Sequence, residues 1–348
     1  MRNQSGKTSV WHTVGRVAII FLATLVLAVT LLLSALWMLV RGPSPTITRL
    51  FVNSVKETSA GGFLADIFLS AEEVDALRPK ADTGNTEDTD PLPIIIPDPP
   101  ATDPPTTEPP VTTPGTDNPP AKDNGIEIVD VEGPTFHGKM MIVKDPKRVI
   151  VGVPDHFGEG YKGLKLDEMI EKYDAIGGIN AGGFYDPNGK GTGGIPDGLV
   201  IYEGKLAWGS LDTSYWVAGL DADGRFYANK MTARKALSLG IQYAASFGPA
   251  LVLNGEIATT NNSSLNPRTA IGQRADGAIL LLVIDGRSVS SLGATLLDTA
   301  GVMLDFGAIN ASNLDGGSSS LMLYKGEALT QSAYIFGVRA LATAFIVK

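Results

Sequence analysis

Four short segments of this 348-residue chain place glycine beside a charged or amide side chain, at or near the end of an apolar run. The most specific is residues 310–320, where a single carboxylate, Asp315, is followed by two glycines and three serines. A carboxylate in this position can serve as a nucleophile or a general base, and serine hydroxyls can donate hydrogen bonds to phosphate oxygens. A flexible linker is the alternative, but a linker would not lie between a helix and a strand of one core.

The segment 266–272 contains an arginine in an unusual place. Arg268 follows a proline and enters an apolar run, where a solvated charge is not expected. Its guanidinium would either pair with a buried carboxylate or bind an anion through two parallel hydrogen bonds. A third segment, Asp-Gly-Arg at 285–287, follows the apolar run 278–284, although Asp-Gly after a strand is also common in turns.

The remaining segment, residues 178–186, is rich in glycine. Glycines after a strand let the backbone turn sharply and approach a ligand closely. Asn180 in this segment offers an amide donor and an acceptor, which suit sugar hydroxyls. Taken alone, a glycine-rich turn without a ligand would be the better interpretation.

Short apolar runs separated by turn residues predict the elements that hold these segments. The predicted strands are Lys139–Val143, Arg148–Val153, Leu199–Tyr202, Ala278–Ile284 and Leu341–Val347. The predicted helices are Leu166–Tyr173, Arg234–Leu239 and Leu296–Phe306. Because strands and helices do not alternate strictly, a doubly wound fold is disfavoured. We expect one α+β domain, residues 125–348, with a few helices and a mixed or mostly antiparallel sheet.

The N-terminal part of the chain predicts a transmembrane helix. The segment Val17–Val40 carries no charge and is longer than the ~20 apolar residues that span a bilayer. Three basic residues precede it, so the positive-inside rule places residues 1–16 in the cytoplasm and the C-terminal domain outside the cell membrane. A cleaved signal peptide is the competing interpretation, but its apolar region is usually about 7–15 residues long.

Two segments connect this helix to the domain. Residues 41–80 contain two short helical patterns, the second preceded by a capping box from Ser70 to Glu73. They could form a stalk, a partner-binding element or a helix on the membrane surface. Residues 81–124 are rich in Pro, Asp and Thr, which predicts a disordered, extended spacer.

The formal net charge of −9 comes mainly from this spacer, because residues 81–124 contain nine acidic residues and one lysine. The acidic balance therefore does not indicate a binding surface. The sequence has no cluster of Lys and Arg, so nucleic acid is not expected as a partner.

The absence of cysteine from the sequence excludes a disulfide scaffold, a cysteine nucleophile and a thiolate metal site. None of the three histidines falls in the four segments, which argues against a metal site built from histidine. A Ca²⁺ or Mg²⁺ site made of oxygen ligands from Asp186, Asp285 or Asp315 stays open as the cofactor. A Ser-His-Asp hydrolase is disfavoured because the sequence has no GxSxG motif.

The four segments resemble one family when they are taken together and in order. The motifs NAGGFYD (180–186), PRTAIG (267–272), IDGR (284–287) and NLDGGSSS (313–320) are similar to those of the phosphodiester glycosidase domain. The resemblance extends over residues 143–348. Many relatives have glycine in place of Ser318 and phenylalanine in place of Tyr185, and neither difference removes a charged group.

The resemblance implies hydrolysis at the anomeric carbon of a sugar that is α-linked through phosphate. A phosphate monoester leaves as a stable anion, so one carboxylate with cationic stabilisation could suffice. Asp315 would then act as nucleophile or base, with Asp285 as the second carboxylate and Arg268 as the phosphate ligand. The residues expected to bind substrate are Asn180, Gly182, Gly183, Thr269, Arg287, Asn313, Gly316, Gly317, Ser318 and Ser319.

The substrate expected from the resemblance is a glycosyl phosphodiester in a cell-surface or exopolysaccharide-type glycan. One alternative is a divalent-metal phosphodiesterase that cuts the P–O bond. Another is a non-catalytic protein that binds or assembles surface glycans. The presence of Arg268, Asp285 and Asp315 together argues against the non-catalytic alternative.

Overall fold

The computed structural model describes residues 5–56, 58, 62–77, 125–259, 264–334 and 337–348. They belong to two compact units, the first holding the N-terminal helices and the second holding everything from residue 125 onwards. The predicted spacer, residues 81–124, lies outside the described residues.

The first unit consists of four helices. They are α1 (Ser5–Arg41), α2 (Pro45–Lys56), α3 (Phe63–Asp66) and α4 (Ala71–Leu77). Within α1, Val14–Arg41 is long and apolar enough to cross a membrane, and its side chains are mostly exposed. A signal sequence would satisfy the same criteria, so α1 is a membrane anchor or a signal sequence.

The short helices of this unit pack on the C-terminal end of α1 through a small core that includes Val40, Val52 and Val74. The predicted capping box is present, because the Ser70 N–H donates to Glu73 Oε2 at 2.8 Å and the Glu73 N–H donates to Ser70 Oγ at 3.2 Å. Both helical patterns predicted between residues 41 and 80 are therefore confirmed as α2 and α4.

The second unit contains seventeen strands and three α-helices in its described residues. The strands are β1 (Ile126–Glu132), β2 (His137–Val143), β3 (Val149–Gly152), β4 (Gly177–Asn180), β5 (Val200–Tyr202), β6 (Lys205–Trp208), β7 (Ser214–Asp221), β8 (Phe226–Thr232), β9 (Ile241–Ser246), β10 (Ala250–Leu253), β11 (Glu256–Ile257), β12 (Arg268–Arg274), β13 (Ile279–Ile284), β14 (Ala308–Leu314), β15 (Met322–Tyr324), β16 (Glu327–Ala328) and β17 (Ala344–Val347). The helices are α5 (Leu166–Lys172), α6 (Ala233–Ser238) and α7 (Leu296–Asp305).

These strands form three sheets in which every described pairing is antiparallel. The first sheet has the order β1-β2-β13-β12-β14-β10-β11, the second β16-β15-β4-β17-β3, and the third β6-β5-β9-β7-β8. All three contribute apolar side chains to one common core. The outer faces are covered by helices, with α7 on the first sheet, α5 on the second and α6 on the third.

Burial on both faces explains the strand sequences. In β13 every residue is buried, because alternate side chains enter the common core and the layer under α7. A continuous apolar run is what such a strand requires. The capping box Thr295–Asp298 fixes the start of α7, with the Asp298 N–H donating to Thr295 Oγ1 at 3.0 Å.

The predicted α+β class with antiparallel sheets is confirmed, and each predicted strand and helix corresponds to an observed one within a few residues. Several observed strands are not among the predicted ones, and β14 is the one nearest to Asp315: its sequence AINASNL, which contains polar residues, forms a buried strand. Its polar side chains are buried within the first sheet between β12 and β10. The last predicted strand starts at Ala344, because Leu341 forms only an isolated bridge with Leu164.

Candidate active site

The register of the first sheet brings three of the four segments to one edge. Arg268 at the start of β12 pairs with Ile284 at the end of β13, and Thr269 pairs with Leu314 at the end of β14. The fourth segment arrives from the second sheet, where the Asp315 N–H donates to the carbonyl of Ala181 at 2.9 Å. Antiparallel pairing therefore assembles residues that are far apart in the sequence.

A cavity of about 380 Å³ opens at this edge. Of the residues predicted to be catalytic or to bind substrate, nine line it: Gly183, Arg268, Arg287, Asn313, Asp315, Gly316, Gly317, Ser318 and Ser319. Four others lie outside the lining: Asn180, Gly182, Thr269 and Asp285. The predicted residues thus supply half of the lining, and most of them come from the segment 313–319.

Asp315 is the carboxylate at the centre of this lining. Burial, helped by the nearby charge of Asp186, raises the pKa of its carboxyl to about 6. Hydrogen bonds from Ser319 and the Gly316 N–H, together with the charge of Arg339, oppose this rise. The carboxyl therefore titrates close to neutral pH, which is the range that suits a general base or a nucleophile.

Asn180 holds Asp315 from behind the cavity wall. It is fully buried, its Nδ2 donates to the Asp315 carbonyl, and its Oδ1 accepts from Thr269 Oγ1 at 2.9 Å and from the Leu321 N–H at 3.1 Å. Thr269 Oγ1 also lies 3.1 Å from Ser320 Oγ. Both side chains are occupied within the protein, so we reassign Asn180 and Thr269 from sugar contact to positioning of the Asp315 segment.

Gly182 and Gly183, both in the segment 178–186, lie in different places. Gly183 lines the cavity, whereas the Gly182 N–H donates to Thr343 Oγ1 at 2.9 Å inside the protein. A Cβ at Gly182 would lie 3.0 Å from the Ser246 carbonyl oxygen. Gly182 therefore serves close packing between sheets rather than contact with a ligand.

Asp285, predicted as the second carboxylate, lies outside the lining of the cavity. Its Oδ1 accepts from the Gln331 N–H at 2.9 Å, and its Oδ2 lies 3.3 Å from His137 Nδ1. Burial raises the pKa of Asp285, while the Gln331 N–H, His137 and Lys139 lower it. At this edge of the first sheet, the side chain of Asp285 therefore points to one side and the side chain of Arg268 points to the other.

Arg287 reaches the cavity from the same turn. Its backbone is in the left-handed region with φ 58°, and its Nη2 donates to Asn266 Oδ1 at 3.0 Å. A Cβ at Gly317 would lie 2.9 Å from Arg287 Nη2. A glycine at 317, which itself has φ +61°, therefore lets the guanidinium approach the segment that follows Asp315.

Arg268 is anchored to backbone next to the cavity. Its Nε donates to the Ala294 carbonyl at 2.9 Å, and its Nη2 donates to the carbonyl and hydroxyl of Ser264 at 3.1 and 2.9 Å. The side chain is 7% exposed and lines the cavity. These contacts fix a buried guanidinium where an anionic group could bind.

Arg339 is a cavity residue that the sequence analysis missed. Its Nη2 lies 2.8 Å from Asp186 Oδ1 as an ion pair rather than an aligned hydrogen bond, and its Nη1 donates to Ser318 Oγ at 3.0 Å. The guanidinium also lies over the Phe184 ring, 4.8 Å from its centroid. The signal that identified Arg268, a charge entering an apolar run, is also present at Arg339.

Asn313 supplies an acceptor to the cavity. Its Nδ2 donates to the Gly248 carbonyl at 2.9 Å. Its buried Oδ1 has no hydrogen-bond partner among the described residues. An unpaired buried acceptor is costly unless a ligand satisfies it, so Asn313 is a candidate contact for a substrate donor.

The cavity contains three carboxylates, because Asp186 and Asp197 line it with Asp315. Within the part of the chain that the structure describes, no group of three or more His, Cys, Asp or Glu side chains is arranged to hold a metal ion. Of the carboxylates considered for an oxygen-only metal site, Asp186 and Asp315 line the cavity and Asp285 does not.

Part of this chain is similar to known proteins. The family model of Phosphodiester glycosidase matches residues 173–348. The SPbeta prophage-derived uncharacterized protein YomE of Bacillus subtilis is 35% identical over 218 residues, which cover 58% of this chain and 33% of that protein. The matched part thus spans about a third of that relative's length.

A solved structure shares the fold. It is the zebrafish N-acetylglucosamine-1-phosphodiester alpha-N-acetylglucosaminidase catalytic domain, auto-inhibited by pro-peptide. The TM-score is 0.51 at 22% identity, and the match covers 64% of this chain and 81% of that one.

Proposed function

Because this chain belongs to the phosphodiester glycosidase family, we propose that its C-terminal domain hydrolyses a glycosyl 1-phosphodiester at the anomeric carbon. The observation that carries the proposal is Asp315, a cavity carboxyl with a pKa raised to about 6, lying among arginine side chains. A carboxylate beside cationic groups is the combination that this reaction requires.

The bond that breaks joins the anomeric carbon to the phosphate oxygen. The electron pair leaves with the phosphate monoester, and water supplies the hydroxyl of the new reducing sugar. Asp315 acts either as the nucleophile at carbon or as the base that takes the proton from water. The monoester is a stable anion, so its departure does not need a proton from a second carboxyl.

Arg268 and Arg287 are the proposed phosphate ligands, because both guanidiniums line the cavity and are anchored by other protein groups. Fixed donors of this kind stabilise developing negative charge without reorganising during the reaction. Asn313 Oδ1 is the proposed acceptor for a sugar hydroxyl or amide. Asp186, rather than Asp285, is the second carboxylate that we propose to act on Asp315. Its charge raises the pKa of Asp315.

The proposed setting is the outer face of the cell membrane. α1 would be an uncleaved anchor with its N-terminus in the cytoplasm, residues 41–80 a stalk, residues 81–124 a spacer and residues 125–348 the catalytic domain. The substrate would then be a phosphodiester of a cell-surface or exopolysaccharide-type glycan.

Hydrolysis in ¹⁸O-water tests which bond breaks. The full-length protein in detergent would be incubated with a panel of glycosyl phosphodiesters, and the products would be analysed by mass spectrometry. We expect the label in the sugar and none in the phosphate. Label in the phosphate would replace this proposal with a phosphodiesterase that cuts the P–O bond.

The matched control for this assay is Asp276→Asn, because Asp276 is an exposed turn residue paired with Arg274. This variant should retain the turnover and the labelling pattern of the unmodified protein. Turnover that persists at the same rate in Asp315→Asn would show a contaminating enzyme or a different active site.

A further inference from the structure

A second cavity on the C-terminal domain is lined by aromatic side chains and shares no lining residue with the first. It has a volume of about 680 Å³, within the range of ligand sites. Its rings are His156, Phe157, Tyr161, Tyr173, Tyr202 and Trp208. We call this cavity the aromatic groove.

The rings form an extended set of faces and edges. The centroids of His156 and Tyr161 are 5.1 Å apart, and those of Phe157 and Trp208 are 6.0 Å apart in an edge-to-face arrangement. Tyr161 is 49% exposed although it belongs to a well-formed loop. Exposed rings in a concave site are available to a ligand, whereas scattered surface aromatics are not arranged in this way.

Polar groups at the ring edges are unsatisfied by the protein. The Trp208 indole N–H, the Tyr161 hydroxyl and the His156 ring nitrogens form no hydrogen bond with any described residue. Tyr173 differs, because its hydroxyl donates to the Val153 carbonyl at 3.0 Å and accepts from the Val153 N–H at 3.2 Å. Tyr173 is therefore part of the floor, and the polar edges of His156, Tyr161 and Trp208 remain for a ligand.

The fixed charges in the lining cancel each other. Lys172 Nζ lies 2.7 Å from Asp155 Oδ1 and also donates to the Val153 carbonyl at 3.1 Å. A groove whose lysine and aspartate neutralise each other does not favour a strongly charged ligand. Its lining favours a neutral molecule with apolar faces and hydrogen-bonding edges.

The pyranose ring of a sugar has these properties. Its axial C–H groups form apolar faces that can stack on the electron-rich faces of Tyr and Trp. Its equatorial hydroxyls lie around the edge, where indole N–H, phenol and imidazole groups can bond to them. We propose that the aromatic groove is a second binding site, for the neutral pyranose units of a glycan chain.

The loop that carries three of these rings is joined to the segment leading to the first cavity. The Gly158 N–H donates to the Gly194 carbonyl at 2.8 Å, and Thr192 Oγ1 donates to the Tyr161 carbonyl at 3.2 Å. The Gly191 N–H in turn donates to Asp186 Oδ1 at 2.6 Å. One continuous segment thus supports both cavities, as expected if a single glycan chain uses both.

Calorimetry with phosphate-free hexasaccharides tests this site separately from hydrolysis. Full-length protein in a detergent without a sugar headgroup would be titrated with maltohexaose, cellohexaose and chitohexaose. We expect at least one to bind, and the same Kd in Asp315→Asn. Loss of binding in Asp315→Asn would place the sugar in the first cavity and overturn the proposal.

Substitutions in the groove provide the second measurement. Trp208→Ala and Tyr161→Ala should each weaken binding by about tenfold, the size of effect that aromatic contacts produce when truncated. Tyr161 is half exposed, so its variant should fold even if Trp208→Ala does not. The control Ile257→Ala removes an exposed apolar side chain from β11 and should leave the Kd unchanged.

Three further results would overturn the proposal. They are binding by none of the three sugars, equal binding in both groove variants and the unmodified protein, and displacement of the sugar by a synthetic peptide of residues 91–120. The last result would identify the groove as a site for proline-rich segments, which also bind aromatic grooves. If the groove binds sugar while no phosphodiester is hydrolysed, the proposed function fails and this inference stands.

Discussion

The carboxyl of Asp315 illustrates how one residue can serve the reaction at the expense of stability. In an unfolded chain its pKa would be about 3.9, whereas burial raises it to about 6 in the fold. Between these values the folded state binds more protons, so the free energy of unfolding falls as the pH rises through this window. Above pH 6 Asp315 is ionised, and burial of this carboxylate then lowers the free energy of unfolding by its full amount.

Asp315→Asn should therefore separate activity from stability. We expect kcat to fall by about 10²–10⁴-fold, because an amide cannot act as nucleophile or base. At pH 8 the variant should be as stable as the unmodified protein or more so, by up to about 1–3 kcal/mol. Near pH 4 the two should converge, and thermal unfolding at both pH values measures this. Unchanged kcat would remove Asp315 from the active site.

Burial has the largest effect on the pH at which Asp315 ionises, and Arg339 counteracts part of it. Because its charge lowers the pKa of Asp315, Arg339→Gln should move the acid limb of kcat/KM from about pH 6 to higher pH, by about one unit. Arg339→Lys retains the charge and should keep the limb near its original place. The exposed Arg234→Gln is the control. A limb that does not move in a folded Arg339→Gln protein would contradict this assignment.

At the scale of the element, the sequence predicts where strands end better than it predicts which way their side chains point. Apolar runs located β13 and α7, because both are long enough to show their pattern. β14 could not be recognised, since asparagine and serine suit a buried strand only when neighbouring strands satisfy their polar groups. That condition depends on β10 and β12, which are distant in the sequence.

The candidate site, like the secondary structure, could be predicted from the sequence only in part. The motifs indicated the cavity segments around Arg268 and Asp315 correctly. They could not show that Asp285 turns towards His137 or that Asn180 supports the wall from behind, because both facts depend on tertiary contacts. Arg339 could have been identified without knowledge of tertiary contacts, because the sequence shows that it enters an apolar run.

The contact between β4 and β12 offers a test at this scale. Thr269→Val retains the volume but removes the hydroxyl that donates to Asn180 Oδ1. We expect the free energy of unfolding to fall by about 1–3 kcal/mol and kcat to fall with it, because Asn180 holds the Asp315 segment. Thr269→Ser keeps the hydroxyl and should restore most of the activity. Equal losses in both variants would assign the effect to methyl packing instead.

At the scale of the whole molecule, the proposed topology concerns where the catalytic domain is exposed. A protease added to intact cells should release a soluble, active fragment by cutting between residues 81 and 124, because the composition of that segment predicts an accessible chain. Immunoblotting of the supernatant with an antibody against the C-terminal domain measures the release. Protection in intact cells, with cleavage only after lysis, would reverse the proposed orientation.

The place of β17 in the second sheet determines when the domain can fold during synthesis. β17 lies between β3 and β4, with Val347 opposite both Val149 and Gly177. β3 and β4 therefore leave the ribosome long before the strand that joins them. Contacts over such sequence separations form slowly, and until β17 arrives both strands present open edges on which other chains could pair. The interval between the synthesis of β3 and that of β17 is thus a period when both strands are open to pairing with other chains.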